Sequence, residues 1–349
     1  MALLPKYELC DSDTVFTHQP LPKPEAKGGT LTIEENERLL SDWFGAEVVL
    51  LSSGRAGISL YFQILGLERY SSNVVLPRFI SPCVMDMVVQ YAYPIERGTG
   101  DVTTVLYHQY GYPQTNRPKG QVLEDICHRF YEHSATGDRS WVGQVSVFSL
   151  PKFFGTAGMI GGLVTTNAVL ANKIRKLRNS CPLAPLGTRE WIRETYQKAR
   201  SNPGNVNFSP FLKAAHSLVG EYVQPDLDDL NGFPATLEEI QLIGEYRRER
   251  IDRLIEGLGA NAAPASFIEG VRNWLPFAFA YFGSGEPVQF SKADEALRNV
   301  GILAGVYNVD VNRNTSSPNY RLCLLLPCHQ DIPLAEIDKM VYIIKEYGA

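Results

Sequence analysis

The sequence has no run of roughly 18 apolar residues, so a transmembrane helix is not expected. It has no basic surplus either. Lys plus Arg number 33 against 38 Asp plus Glu, a formal net charge of -5 at pH 7. That balance argues against a protein that coats nucleic acid, although it leaves room for one local basic pocket. Cysteine is sparse: Cys10, Cys83, Cys127, Cys181, Cys323 and Cys328 form no CxxC pair, which excludes the common zinc patterns. Six in 349 residues are too few for a disulfide scaffold, and they read as buried thiols in a reducing cytoplasm. The N-terminal segment MALLPKYELCDSDT lacks a charged stretch followed by a long apolar one, so no signal peptide is expected. No internal repeat and no low-complexity segment is present. What remains is a globular composition, 44% hydrophobic and 20% charged. The length suggests about two domains, with ample chain to bury a core.

The order of patterns refines this. Residues 1–30, rich in proline and ending in Gly28-Gly29, read as an extended arm. Thr32 and Glu35 are spaced as a capping box ahead of a helix with Leu39, Leu40, Trp43 and Phe44 on one face, and Gly45 stops it. Short apolar strands are then predicted at Glu47–Leu51, Asn73–Leu76, Tyr93–Glu96, Thr104–Tyr107, Gln121–Glu124, Val145–Ser149 and Gly162–Thr165. Helices are predicted from Arg55 to Leu65, from Pro82 to Tyr91, and after an Asn167 cap. Strands alternating with helices imply parallel pairing, and uniformly apolar strands imply a sheet covered on both faces. Arg189 to Val223 reads as helical and polar, broken by SNPGN. Leu237 to Leu258 reads as one long amphipathic helix whose Arg247, Arg248, Arg250 and Arg253 form a solvated face. Trp274–Phe282 and Tyr320–Leu325 are predicted as strands, Ser291–Asn299 and Pro333–Tyr347 as helices. The domain reading is therefore an arm at 1–30, a large α/β domain at 31–230 and a small α+β domain at 231–349.

Four features bear on chemistry. Ser52-Ser53-Gly54-Arg55-Ala56-Gly57 lies between a strand and a helix. It reads either as an ordinary turn or as a phosphate cradle, in which free N–H groups meet the positive end of the helix dipole and Arg55 adds a charge-assisted grip. Glu124-Asp125 ends a predicted parallel strand, where α/β enzymes keep their sites. Asp125 reads as a loop carboxylate or as the partner of a cation such as a protonated pyridine nitrogen. Lys152 follows the apolar strand Ser146–Ser149 and reads as a surface lysine or as an amine that attacks an aldehyde. The glycines after it let the backbone run close to a ligand. Cys127, beside Asp125, is read as structural. Leu322 to His329, ahead of the last helix, marks the final strand-to-helix segment.

The order of these features resembles the DegT/DnrJ/EryC1/StrS family of nucleotide-sugar aminotransferases, a branch of the fold type I pyridoxal-phosphate (PLP) enzymes. EENERLLSDWFGA is similar to the family's helix-then-glycine opening, SSGRAGISL to its phosphate turn and VVLPRFISP to its strand–proline segment. Tyr107 to Pro113 resembles its HxYGxP segment, Glu124 to His128 its EDxAQ, and FSLPK with Gly161 to Thr165 its serine-to-lysine turn and GGxxxT strand. LLLPCHQDIPLAEIDKMVYII resembles its terminal LPxH and helix. The match runs from about Gly28 almost to the end.

The resemblance implies an α/β fold type I architecture, with a mostly parallel seven-stranded sheet and a small α+β C-terminal domain. It implies that Lys152 bonds to PLP and shuttles protons, and that Asp125 keeps the pyridine nitrogen protonated. It places Gly54, Arg55 and Ser149 at the phosphate and His128, where the family usually has Gln, near the ring hydroxyl. Either Phe79 or Ser81 falls where an aromatic ring often stacks on the cofactor. Four departures mark a divergent branch: Arg55 in place of a small hydroxyl residue, a two-residue gap between Ser149 and Lys152, a vague counterpart in Asn205–Phe208 of an Asn-containing loop, and Arg97 in place of an aspartate. The implied activity is amino transfer from an amino acid, glutamate first, to a nucleotide-linked keto-sugar by a cytoplasmic homodimer that binds no metal, nucleic acid or membrane. The alternatives are a sugar dehydratase, a transaminase of a non-sugar carbonyl, or a PLP-fold protein that has lost catalysis. Family dehydratases tend to replace the lysine, so Lys152 counts against the first, and Lys152 with Asp125 counts against the last.

Overall fold

The computed structural model describes residues 8–9, 31–98, 102–130, 143–201 and 209–347. The arm expected over 1–30, apart from residues 8–9, and the Asn205–Phe208 segment lie outside them. The first helix, α1 (Ile33–Phe44), begins at the expected capping box, with both reciprocal bonds made, and ends on Gly45 at φ +62°. The chain then alternates β1 (Glu47–Leu51), α2 (Gly54–Leu65), β2 (Asn73–Val75), α3 (Pro82–Tyr91), β3 (Tyr93–Ile95), β4 (Thr103–Tyr107), β5 (Val122–Asp125), β6 (Val145–Ser149), β7 (Gly161–Thr165) and α4 (Ala168–Ser180).

The seven strands form one sheet in the order β1-β7-β6-β5-β4-β2-β3. Strand β7 is antiparallel to both β1 and β6; the remaining neighbours pair in parallel. The C-terminal ends of β1, β5 and β6 therefore share one edge of the sheet. Alternate strand residues enter two hydrophobic clusters. Val48, Leu50, Phe148 and Val164 join α1, while Val49, Leu51, Val147 and Leu163 join the buried faces of α2, α3 and α4. The sheet is thus covered on both faces, as the unbroken apolar strands require.

The polar α5 (Leu186–Ser201) and the more apolar α6 (Ser209–Glu221) follow, and then the long α7 (Leu237–Leu258), capped by Thr236. The last third holds α8 (Ala265–Trp274), β8 (Ala278–Tyr281), α9 (Pro287–Asn299), β9 (Gly305–Asp310), β10 (Tyr320–Pro327) and α10 (Leu334–Glu346). Its strands form an antiparallel sheet in the order β8-β10-β9. Trp274 ends a helix rather than opening a strand. Leu275, at φ +42°, turns the chain before β8 begins. Strand β9 has no sequence counterpart in the reading above, because its residues are only half-buried along much of their length.

The expected solvated face of α7 is corrected most sharply at Arg247. Arg247 is fully buried: its guanidinium lies 4.9 Å above the Phe153 ring and donates to the Pro276 carbonyl at 3.1 Å and to Gln330 Oε1 at 3.1 Å. Gln330 in turn donates to the Phe153 carbonyl at 2.8 Å. A sequence pattern assigns Arg to the wet side, but stacking and backbone carbonyls satisfy this one inside. Arg253 does pair outward, with Asp338 at 2.6 Å, whereas Arg250 is largely buried, donating to the Ile332 carbonyl at 3.1 Å and pairing with the exposed Glu249 at 2.6 Å. The cysteines are unpaired thiols among the described residues; Cys323 and Cys328 are buried, but Cys83, Cys127 and Cys181 are only partly so.

Candidate active site

The shared sheet edge carries a cavity of about 700 Å³. The Ser53–Arg55 turn forms one wall at the end of β1. Ser53 caps α2 by accepting from the Ala56 amide at 3.1 Å, leaving the first-turn N–H groups directed at the edge. Gly54 is required there for space: a Cβ would stand 2.9 Å from Cys127 Sγ and 3.1 Å from the Phe148 carbonyl oxygen. The side chain of Arg55 lines the cavity and makes no hydrogen bond or ion pair within the described chain. Burial pulls its pKa down, opposed by Cys83, Asp86 and other neighbours. A guanidinium set in a cavity without a carboxylate at bonding distance calls for an anionic ligand.

Asp125 ends β5 and is buried. One carboxylate oxygen accepts from the Cys127 amide at 2.9 Å. Strand alternation sends its neighbour Glu124 to the opposite face. There Glu124 binds His108 Nε2 at 2.6 Å and the Gly143 amide at 2.6 Å, while His108 Nδ1 accepts from the Gln114 amide at 3.0 Å. That last bond assigns the His108 proton to Nε2. Glu124 is therefore a structural clamp, and Asp125 alone of the pair faces the cavity. Burial, reinforced by Asp125, raises the Cys127 pKa well above its ordinary value and keeps it a thiol.

Lys152 follows β6 in a tight turn closed by Phe153 N and Phe154 N onto the Leu150 carbonyl, at 3.0 and 2.9 Å. Its Nζ lies 2.8 Å from His128 Nε2, and His128 Nδ1 lies 3.2 Å from the Tyr107 hydroxyl. The imidazole is stacked between Tyr110 and Phe277, with centroids at 5.8 and 5.0 Å. Gly54, Arg55, Ser81, Asp125, His128, Ser149 and Lys152 all line the cavity.

Phe79 does not. It packs on Tyr320, with ring centroids 4.4 Å apart, in a short strand segment, Phe79–Ile80, that pairs with residues 8–9. The chain turns into α3 at Ser81, and this separates the two candidates: Ser81 faces the cavity and Phe79 stays at the edge. The opposite wall was missed from sequence. Tyr196 of α5 and Lys213, His216 and Glu221 of α6 line it, all beyond the Gly161–Thr165 strand motif. Their helices show only amphipathic patterns, so nothing local marked them.

The residues fit a pyridoxal phosphate. The glycine-flanked helix N-terminus and the unpartnered Arg55 suit its phosphate. Buried Asp125 suits a ring N–H, and Lys152 supplies an amine.

Residues 43–182 match a family model described as "Putative PLP-dependent aminotransferase". That span contains every lining residue named above except those of α5 and α6. No curated protein matches the sequence. Solved structures match the fold over nearly the whole chain. A DegT/DnrJ/EryC1/StrS aminotransferase from Brucella abortus is 15% identical, with 91% of this chain and 90% of that one covered at a TM-score of 0.61. DesV from S. venezuelae is 16% identical, with 90% and 89% covered and a TM-score of 0.62. The E. coli GDP-4-keto-6-deoxy-D-mannose-3-dehydratase is 15% identical, with 99% and 100% covered and a TM-score of 0.59. One architecture thus serves two kinds of reaction among these neighbours. Among the described residues no helix is long and apolar enough to cross a membrane. With its seven-stranded sheet, its antiparallel β7 and its three-stranded C-terminal sheet, the chain has the fold type I architecture of the DegT/DnrJ/EryC1/StrS aminotransferases.

Proposed function

We propose that this chain is a PLP-dependent aminotransferase that moves an amino group from an amino acid, glutamate first, to a nucleotide-linked keto-sugar, acting as a homodimer. The observation that carries the reading is the convergence of Lys152 and Asp125 on one cavity beside the Gly54–Arg55 turn. Gly54, Arg55 and Ser149 would hold the phosphate. That anchors the ring through binding energy remote from the chemistry. Asp125 would hold a proton on the pyridine nitrogen. When bound, PLP would supply an electron sink for chemistry at the amino-acid carbon.

Lys152 Nζ moves the proton at that carbon, first as base and then as acid. His128 holds Nζ at 2.8 Å and is itself clamped between two rings, so it acts as a positioning residue for Lys152. Ser81 borders the cavity where an aromatic ring was the other expectation, so neither Phe79 nor Ser81 offers a stacking ring. The dehydratase alternative draws on the E. coli neighbour's fold, and the presence of Lys152 favours amino transfer.

The test is direct. Purified protein reconstituted with PLP is expected to be yellow. Borohydride should bleach it and leave the label on Lys152, and glutamate alone should convert the cofactor to its amine form. A protein that takes up no PLP would overturn the reading. A Lys152→Ala variant that keeps both colour and activity would overturn the site assignment. Sedimentation of the full chain tests the dimer.

A further inference from the structure

We infer that His216 is a further phosphate ligand, completing with Arg55 and the Ser53–Arg55 amides an anion pocket that takes up a proton as it fills. The identity of the phosphate rests on the PLP reading; the anion pocket itself rests on the following geometry. Ser52, one residue before the turn, fastens α6 to it. Its hydroxyl donates to the Val219 carbonyl at 3.0 Å, and its amide donates to the Val223 carbonyl at 3.1 Å. His216 lies one helical turn before Val219 on this fastened segment of α6. Both His216 and Arg55 line the cavity, and neither makes a hydrogen bond or ion pair within the described chain. Two groups with strong hydrogen-bonding capacity, on elements fastened together, thus line the same space with no hydrogen-bond or ion-pair partner for either among the described residues.

The charges around His216 explain the proton. Arg55 of α2 and Lys152 of the turn after β6 face the same cavity, together with Asp86 and Cys83 of α3, Tyr107 of β4, Asp125 of β5 with Cys127 and His128 after it, Tyr196 of α5, and Lys213 and Glu221 of α6 itself. Burial, then Arg55 and then Lys152 hold the imidazole well below its ordinary value, so at neutral pH it is uncharged. A tetrahedral dianion seated against Arg55 reverses the sign of that field. The imidazolium then becomes the favoured form. It gains a charge-assisted N–H donor bond to the anion, and the proton comes from solvent.

Sulfate is the cleanest probe, because its charge does not change near neutrality and any proton taken up belongs to the protein. In proton NMR titrations of the apo full chain, the resonance lost in His216→Gln is expected to titrate at least about one pH unit higher with sulfate present. PLP, read by its visible absorption, is expected to bind His216→Gln about tenfold or more weakly. His216→Arg, with a fixed cation, should bind sulfate without the pH dependence. It also serves as the folding control should the Gln variant unfold.

A His216 resonance that ignores both sulfate and PLP overturns the inference, even if Lys152 is labelled and the PLP reading stands. A resonance that moves with succinate but not with sulfate overturns it too, by making the pocket a carboxylate site. A resonance that moves with sulfate in a protein that never colours with PLP upholds the anion pocket and overturns the PLP reading.

Discussion

Gly161→Ala tests whether the phosphate turn and the lysine strand form one rigid cradle. Gly161 opens β7 opposite Ser149, between the end of β6 and the Ser53–Gly54 turn. A Cβ built there stands 2.4 Å from the Phe148 carbonyl oxygen, 2.7 Å from the Gly54 nitrogen and 3.0 Å from the Ser53 carbonyl carbon. All three are backbone atoms, so no side chain can swing away. Real Cβ contacts stop at about 3.0 Å, so the turn and β6 must part by about 0.6 Å. Overpacking of this kind costs about 1–3 kcal/mol. The displaced atoms are those proposed to hold the phosphate, and an error of this size at a positioned site is expected to weaken PLP binding on the order of tenfold. Guanidinium unfolding gives the stability, and visible absorption on PLP titration gives the affinity. Gly187→Ala is the control. Nothing lies within 4 Å of its Cβ, in the first turn of α5, and it should stabilise by about 0.4–1 kcal/mol. A Gly161→Ala protein with wild-type midpoint and PLP affinity would refute the reasoning.

Four further outcomes are expected. The depressed His216 pKa means that the unfolded chain binds the extra proton first: the stability of the apo protein should hold above about pH 6.5 and fall as the pH drops below it, by up to about 1.4 kcal/mol per pH unit, and His216→Gln should flatten that limb in pH-dependent denaturation. Arg247→Ala should cost about 2–4 kcal/mol by opening a cavity under Phe153 and stranding the Pro276 carbonyl, whereas Arg247→Met, which refills the space, should recover much of it in the same melts. His128→Ala should lower kcat by about a hundredfold and shift its pH profile, a readout that a purely structural residue would leave in place. Glu124→Gln should destabilise by about 1–3 kcal/mol through the buried His108 contact, with little change in the pH profile of kcat, because Glu124 faces away from the cavity.

Most of the sheet was legible because its strands are short apolar runs bounded by strong punctuation. The capping box at Thr32 and the Asn167 cap placed two helices, and the structure reproduces both bonds. Gly54, Arg55, Asp125 and Lys152 were marked by their places at strand ends and a helix start, whereas Ser81, His128 and Ser149 came from the family resemblance; all seven line one cavity. Two expectations need tertiary contacts to resolve. The resemblance left Phe79 and Ser81 as equal candidates, and the structure separates them because the Phe79–Ile80 strand segment packs on Tyr320 while Ser81 opens α3 at the cavity. Arg247 was read as wet because Arg usually is, yet Phe153, Gln330 and the Pro276 carbonyl meet it from positions far along the chain.

Local chemistry settles what the chain itself can dictate: which segments become strands and helices, where caps fall, and where a glycine-flanked turn, a carboxylate and a lysine stand relative to strand ends. Those depend on backbone sterics and on periodicity within a few residues. Tertiary structure decided the rest. Insertion of β7 between β1 and β6 brings the Ser53–Arg55 turn beside Ser149, and Ser52 binds α6 across a separation of 167 residues, so that His216 lines the same cavity as Arg55. No local pattern encodes such contacts, because they are selected by how the whole sheet and its covering helices pack.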